Sequence, residues 1–412
     1  MILSFIDFVF FFYMFIGLYM TVLLLMVYFK NKSGMFYYPH GKIEPVSIIV
    51  SCYNEGDKIG RTIESILNLD YPKDKLEIII VDDKSNDNSV EVARKYAAKY
   101  NNVRVIVNKR NSGMAAEPTN IGIKAAMYDY VAVADADSTP ERDALRKMIG
   151  FLQEDKKVGG VTCAVLAREP RSFIQKLQAI EYVVIAWSRK LLDFVDAVYV
   201  TPGPFALYRK KVLVDVGMFD TKNMTQDIEI VWRMLSHGYK VRMCLATRVY
   251  SETPNQFWRW FRQRVRWNIG GKQCIWKYKN LFFRKGMLGA FIIPFFTFSL
   301  FLGLFGLGIF SYLFARRFII GYITTKYALY ADSTLLRLQD LTFAPSILNF
   351  FGAALFFLGM FFTIFGLRTV KLQKSHWGNI FNFLFYSLVY LTIYPLLLVV
   401  STYRILRGDY KW

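Results

Sequence analysis

Two aspartates stand two residues apart behind an apolar run, Val131-Ala132-Val133-Ala134-Asp135-Ala136-Asp137. Alternate residues of a strand point the same way, so both carboxylates suit a hard cation bridging the two phosphates of a donor. Without such a cation they would repel one another. The plainer alternative is a solvated strand end with an Asp cap for a helix near Pro140. Three further clusters carry possible chemistry. Ile79-Ile80-Val81-Asp82-Asp83 ends a second apolar run, where a carboxylate can accept hydrogen bonds from the N–H groups of a base, and Asp87 can cap the helix that follows. Met224-Thr225-Gln226-Asp227-Ile228-Glu229 opens a helix, where Asp227 is placed to take a proton from an acceptor hydroxyl; an acid in a first turn is also favoured by the helix dipole alone. In Gln263-Arg264-Val265-Arg266-Trp267, Gln263 and Arg266 can hold diphosphate oxygens and Trp267 offers a flat face to a sugar ring, the alternative being an anchor at a membrane surface.

These clusters need a frame. From about residue 41 to 253, strand-like runs (46–50, 76–81, 103–107, 130–134) alternate with helices starting at Asp57 and Asp87 and spanning Asn111–Met127. That alternation predicts a parallel, doubly wound sheet, with ligands beyond the carboxyl ends of its strands. The hydrophobic share is 54%, with 17% aromatic, and its longest runs lie at the two ends of the chain. Residues 2–29, 287–314, 347–367 and 380–400 each approach a spanning length. Lys30 and Lys32 place the α/β unit in the cytosol. Four spans then put the carboxyl terminus outside, whereas Arg404, Arg407 and Lys411 favour the cytosolic side. Pro294 or residues 316–340 mark a candidate broken or interfacial segment. Residues 255–285 interleave Trp and Phe with Arg and Lys, the composition of a helix in the headgroup layer.

The net charge of +20 fits anionic lipid or a nucleotide diphosphate, and no recognition motif supports nucleic acid. The four cysteines are widely spaced and read as reduced thiols rather than a zinc site; three histidines leave any metal to oxygen ligands, hence Mg2+ or Mn2+.

Taken in order, the four clusters resemble the processive branch of glycosyltransferase family 2, the cellulose, chitin, hyaluronan and poly-N-acetylglucosamine synthases. That family's pattern is a strand-end Asp, Asp-x-Asp, Thr-Glu-Asp and Gln-x-x-Arg-Trp. Val50-Ser51-Cys52-Tyr53-Asn54-Glu55 and Pro202-Gly203-Pro204-Phe205 extend the likeness. The resemblance implies a GT-A-type α/β domain with a mixed sheet, inversion at the anomeric carbon, and a nucleotide-sugar donor, with a UDP-sugar expected. It implies Asp83 near the base, Asp135 near ribose and diphosphate, Asp137 on the metal, and Asp227 as catalytic base. Gln263 and Arg266 fall to the donor, and Trp267, Gly203 and Pro204 to a polysaccharide or lipid-linked glycan acceptor. Two departures stand out: Gln226 replaces the Glu of Thr-Glu-Asp, and Met114 replaces a frequent Lys. The expected domains are a first span over 1–30, a cytosolic catalytic domain over 41–254, an amphipathic segment over 255–286 and a membrane region over 287–412. The expected setting is the cell membrane, multi-pass, with room for an accessory subunit. A single-addition hexosyltransferase, for instance one using GDP-mannose, and a non-enzymatic transporter or scaffold are the competing readings.

Overall fold

The computed structural model describes residues 5–331, 347–371 and 378–409. An apolar helix α1 (Phe5–Asn31) leads into β1 (Val46–Cys52), α2 (Gly56–Leu67), β2 (Leu76–Asp82), α3 (Ser89–Lys99), β3 (Val103–Val107) and α4 (Ala116–Ala125). β4 (Tyr130–Asp135), β5 (Thr139–Pro140), α5 (Ala144–Glu154), β6 (Val158–Ala167) and α6 (Phe173–Asp193) follow. β7 (Ala206–Arg209), α7 (Lys210–Asp215), α8 (Gln226–Ser236) and β8 (Lys240–Ser251) complete the α/β unit. Beyond it lie α9 (Phe257–Tyr278), α10 (Ile293–Tyr330), α11 (Ile347–Val370) and a final apolar segment, Ile380–Leu406.

The strands form one sheet in the order β3-β2-β1-β4-β7-β6-β8-β5. β2 is an unbroken run of buried residues, and β1 is buried but for the half-buried Ser51, because helices cover both faces. Their side chains alternate between two cores: Ile48 and Val50 meet Ile59 and Ile63 of α2 and Met148 of α5, whereas Ile49 and Val81 meet Ile123 of α4 and Trp187 of α6. The parallel sheet expected from the alternation holds for β1 to β4. β7 runs antiparallel to β4 and β6, so the whole is mixed. The reason is local: the 201–205 turn brings the chain to the carboxyl end of β4, where Ala206 pairs with Val133, and β7 can only run away from it. α4 starts at Ala116 rather than Asn111 because Asn111-Ser112-Gly113 folds back onto Asp83, with Gly113 at a φ of 77°.

Among the described residues four helices are long and apolar enough to cross a membrane: Phe5–Gly34, Leu288–Tyr330, Gly352–Val370 and Ile380–Leu406. Phe8, Phe15, Phe301, Phe310 and Phe357 are exposed on them, an apolar surface that water would not favour. The helix that follows α9 does not break near Arg316. It continues to Tyr330, since no Pro or Gly pair interrupts residues 316–330; residues 332–340 of that expected break lie outside the described residues. Pro294 sits in its first turn, where a missing N–H costs nothing.

Helix α6 joins the α/β unit to these helices at two levels. At one, the fully buried Trp187 packs edge-on against Tyr28 of α1 at 5.2 Å and Phe362 of α11 at 4.4 Å between ring centroids. Arg248 of β8 also donates to the Val370 carbonyl at 2.8 Å. At the other, nearer the amino end of α6, Leu177 and Ile180 pack with Trp260 and Val265 of α9 and with Tyr386 and Tyr390 of the final segment. Trp187→Ala is therefore expected to cost about 3–5 kcal/mol of stability, measured by unfolding of the purified chain in detergent. A loss under about 1 kcal/mol would mean that this junction does not hold the two parts together.

Candidate active site

The site lies where the carboxyl ends of β1, β2 and β4 meet α8 and α9. Asp135 closes β4 opposite Ser51 of β1. Burial lifts its carboxyl to about 7, Asp137 and Asp227 push the same way, and the Arg266 guanidinium pulls it back. Asp137, one turn of chain further, is raised by burial and by Glu55, with Lys58 and a hydrogen bond from the Ser138 hydroxyl opposing. Asp227, in the first turn of α8, is raised by burial; Arg266, the Ile228 N–H at 3.1 Å and Arg189 oppose. Burial lowers Arg266 in turn, while Asp227 and Asp135 hold its proton on. Three carboxylates, from the end of β4, the turn after it and α8, thus share one field with the guanidinium groups of Arg266 and Arg189.

Gly203 fits this place because a Cβ there would stand 2.7 Å from a carboxylate oxygen of Asp135. The neighbouring Pro204 is half-buried in the same loop. Helix α9 approaches as closely: a Cβ on Gly270 would lie 2.1 Å from the Thr225 hydroxyl, so α9 rests directly on the start of α8. Gln273 accepts the Met224 N–H at 2.9 Å, and the buried Glu229 takes Lys277 at 2.7 Å and the Tyr278 hydroxyl at 2.8 Å, together with Arg233. These contacts hold α9 against α8, so that the Arg266 charge acts on Asp227.

Asp137 and Gln263 line one open cleft of about 720 Å3, whose rim carries Lys58, Arg61, Arg168 and Arg259. Trp267 is half-buried against the core under α2, with the Arg264 guanidinium 4.0 Å from its ring centroid. Asp83 stands apart, two strands from Asp135 and so about 10 Å away. Its buried carboxylate accepts from the Asn108 amide at 2.7 Å, the Ser112 N–H at 2.9 Å and the Ser112 hydroxyl at 2.7 Å. The structure therefore brings Asp135, Asp137, Asp227, Arg266 and Gly203 together, puts Gln263 and Trp267 at the edge, and leaves Asp83 engaged with the 108–114 loop.

Sequence reasoning missed Arg189, Glu181 and the role of Arg264. Arg189 is buried on α6, its Nε without a hydrogen-bond partner, and burial lowers its pKa while Tyr199 and Asp227 support its charge. The signal was present: Glu181 and Arg189 are charges inside an apolar helix, and such charges need a partner or a function. All four cysteines are free and buried.

Known proteins add to this picture. A family model described as "Glycosyltransferase like family 2" matches residues 44–270. A poly-beta-1,6-N-acetyl-D-glucosamine synthase of Staphylococcus aureus (strain MSSA476) is 35% identical over 238 residues, 57% of this chain and 56% of that protein. The synthase of the same description from Staphylococcus epidermidis is 33% identical over 249 residues, 60% of this chain and 59% of its own length. The matches thus span little more than half of these curated relatives. Among solved structures, the mannosyltransferase PcManGT from Pyrobaculum calidifontis, in complex with GDP-Man and Mn2+, superposes with a TM-score of 0.60 over 95% of this chain and 98% of that one. At 18% identity that likeness establishes the fold, the GT-A-type mixed sheet together with its apolar helices. With more than half of its length inside the family model, this chain belongs to glycosyltransferase family 2.

Proposed function

We propose that the chain is a membrane-embedded, inverting glycosyltransferase that adds sugar from a nucleotide-diphosphate donor to a growing polysaccharide, with its α/β unit at the cytosolic face. The observation that carries this reading is the shared field of Asp135, Asp137, Asp227 and Arg266 at the carboxyl end of β4. The likeness to poly-β-1,6-N-acetylglucosamine synthases supports UDP-N-acetylglucosamine as the first donor to try.

In this reading the nucleotide lies across the strand ends. The base sits near Asp83 and the loop it holds, and the ribose and diphosphate lie near Asp135. Arg266 and Gln263 take diphosphate oxygens, a charge-assisted contact on the first and a neutral one on the second. An acceptor hydroxyl, its sugar against Trp267 and the Gly203-Pro204 wall, gives its proton to Asp227 as its oxygen attacks the anomeric carbon. The bond from that carbon to the donor phosphate breaks on the opposite side, the electron pair leaves with the nucleoside diphosphate, and configuration inverts. A raised Asp227 suits a group that must accept a proton near neutral pH.

The residues also fit a divalent cation. Burial raises both Asp135 and Asp137, with Asp137 adding to the first and Glu55 to the second, a surplus of negative charge that a hard cation relieves. Among the described residues no group of three His, Cys, Asp or Glu could hold an ion by itself. Asp137, backed by Asp135, would hold Mg2+ or Mn2+ with donor oxygens completing the shell. When bound, the ion neutralises charge developing on the leaving diphosphate.

Three outcomes test this reading in the full chain reconstituted in lipid vesicles. UDP-N-acetylglucosamine is expected to yield a ladder of long products on gels; a single added sugar would favour the single-addition alternative, and no turnover with any UDP- or GDP-sugar would favour a transporter or scaffold. Asp227→Asn should lower transfer by about 10²-fold or more while leaving nucleotide affinity within about threefold, because the base acts on the acceptor alone. Retained turnover would refute the assignment. Excess chelator should stop transfer and added Mg2+ or Mn2+ restore it; full activity in chelator would remove Asp137 as a ligand.

A further inference from the structure

We propose that Glu181, Arg264, Tyr390 and Tyr394 form a positioning relay through which the final apolar segment sets Gln263 and Trp267 for sugar transfer. The inference rests on the function proposed above and adds to it a route from the membrane helices to the site.

Arg264 is 1% exposed, on α9 between the two residues it governs. Its guanidinium donates to the Gln263 side-chain oxygen at 2.8 Å and lies 4.0 Å from the Trp267 ring centroid. It is itself held by the Glu181 carboxylate of α6, 3% exposed. Glu181 in turn accepts the Tyr390 hydroxyl at 2.7 Å on the oxygen that binds Arg264, and the Tyr394 hydroxyl on the other. One buried ion pair thus joins α6, α9 and the final segment.

A buried ion pair carries a desolvation cost that an apolar pair of the same volume would not, so stability alone does not account for it. What it adds is direction. A planar guanidinium with fixed donors holds Gln263 and the Trp267 face at set angles, and two tyrosine hydroxyls fix the carboxylate that orients it. A second tie lies two turns along α9. Lys272 donates to the Leu398 carbonyl at 2.9 Å, the Ser401 hydroxyl at 2.6 Å and the Thr402 hydroxyl at 2.7 Å. The final segment therefore grips α9 on both sides of Trp267, and the rings of Trp260 and Tyr390 meet at 5.0 Å beside the first grip. Movement of that segment moves Trp267 and Gln263 relative to Asp135, which is anchored at the end of β4.

The test uses the full chain in lipid vesicles. Tyr390→Phe with Tyr394→Phe keeps both rings and removes only the hydroxyls. It is expected to lower kcat about tenfold and raise the acceptor KM through Trp267 and the donor KM through Gln263, with melting temperature close to the unsubstituted chain. Arg264→Lys, which keeps the charge and loses the fork, should give the same split, and Lys272→Met a weaker version of it. The 19F signal of fluorotryptophan at position 267, assigned by its loss in Trp267→Phe, should shift in all three. Unchanged kcat and acceptor KM with an unmoved signal in the tyrosine variant overturn the relay, as does a loss that follows melting temperature. If the tyrosine pair does not fold, Lys272→Met decides by the same criteria. Asp227→Asn separates the two ideas: turnover in that variant sinks the proposed function, whereas an inactive Asp227→Asn beside a normal tyrosine variant sinks only the relay.

Discussion

Three half-buried carboxylates gather where β4 ends and α8 begins, and the rest of the site is arranged around that fact. Asp135 sits at the carboxyl end of β4, Asp137 follows, and Asp227 enters from α8; each is raised by burial, and Asp135 is raised further by the other two. At low dielectric such a cluster is tolerable only with positive charge close by. The sheet supplies none. Arg266 comes from α9, Lys58 from α2, and both are brought in by packing rather than by chain connection. The charge balance of the site therefore depends on where α9 lies.

Helix α9 lies where it does for reasons of shape as much as charge. Gly270 lets its backbone settle on Thr225, Glu229 ties its end through Lys277 and Tyr278, and Trp260, Val265 and Ile269 bury against α6 and the final segment. The aromatic, basic composition that suggested a headgroup-layer helix has two uses. Trp258 and Trp276 are exposed, whereas Trp260, Arg264 and Gly270 form the buried seam. An α/β unit built this way is joined to its apolar helices, since the Trp187 contacts at one level of α6 and the Arg264 pair at another hold both parts together.

Much of this was legible in the chain itself because it is written locally. A strand of Val and Ala ending in Asp announces both its burial and the direction of the carboxylate, so Asp135 and Asp137 could be named before any fold was known, as could Asp227 from its place at a helix start. The four apolar runs were equally plain. What could not be read depends on partners distant in sequence. Nothing near Asp83 says that Asn108 and Ser112 will occupy its carboxylate, and the same contact shortened the expected Asn111–Met127 helix to Ala116–Ala125. The reversal of β7 follows from where the 201–205 turn delivers the chain, which no periodicity records. Glu181 and Tyr390 are 209 residues apart, and only the packed structure pairs them.

The claim beneath all of this is that the carboxylate cluster and Arg266 together form a seat for a nucleoside diphosphate and a divalent cation. Calorimetric titration of UDP into the full chain in lipid vesicles, with and without Mg2+ and repeated with Arg266→Met, addresses it directly. The account predicts binding that needs the cation and weakens by about tenfold or more without the guanidinium, as loss of a charge-assisted contact requires. Equal affinity in the absence of cation, or an Arg266→Met chain that binds UDP as tightly as the original, would contradict it.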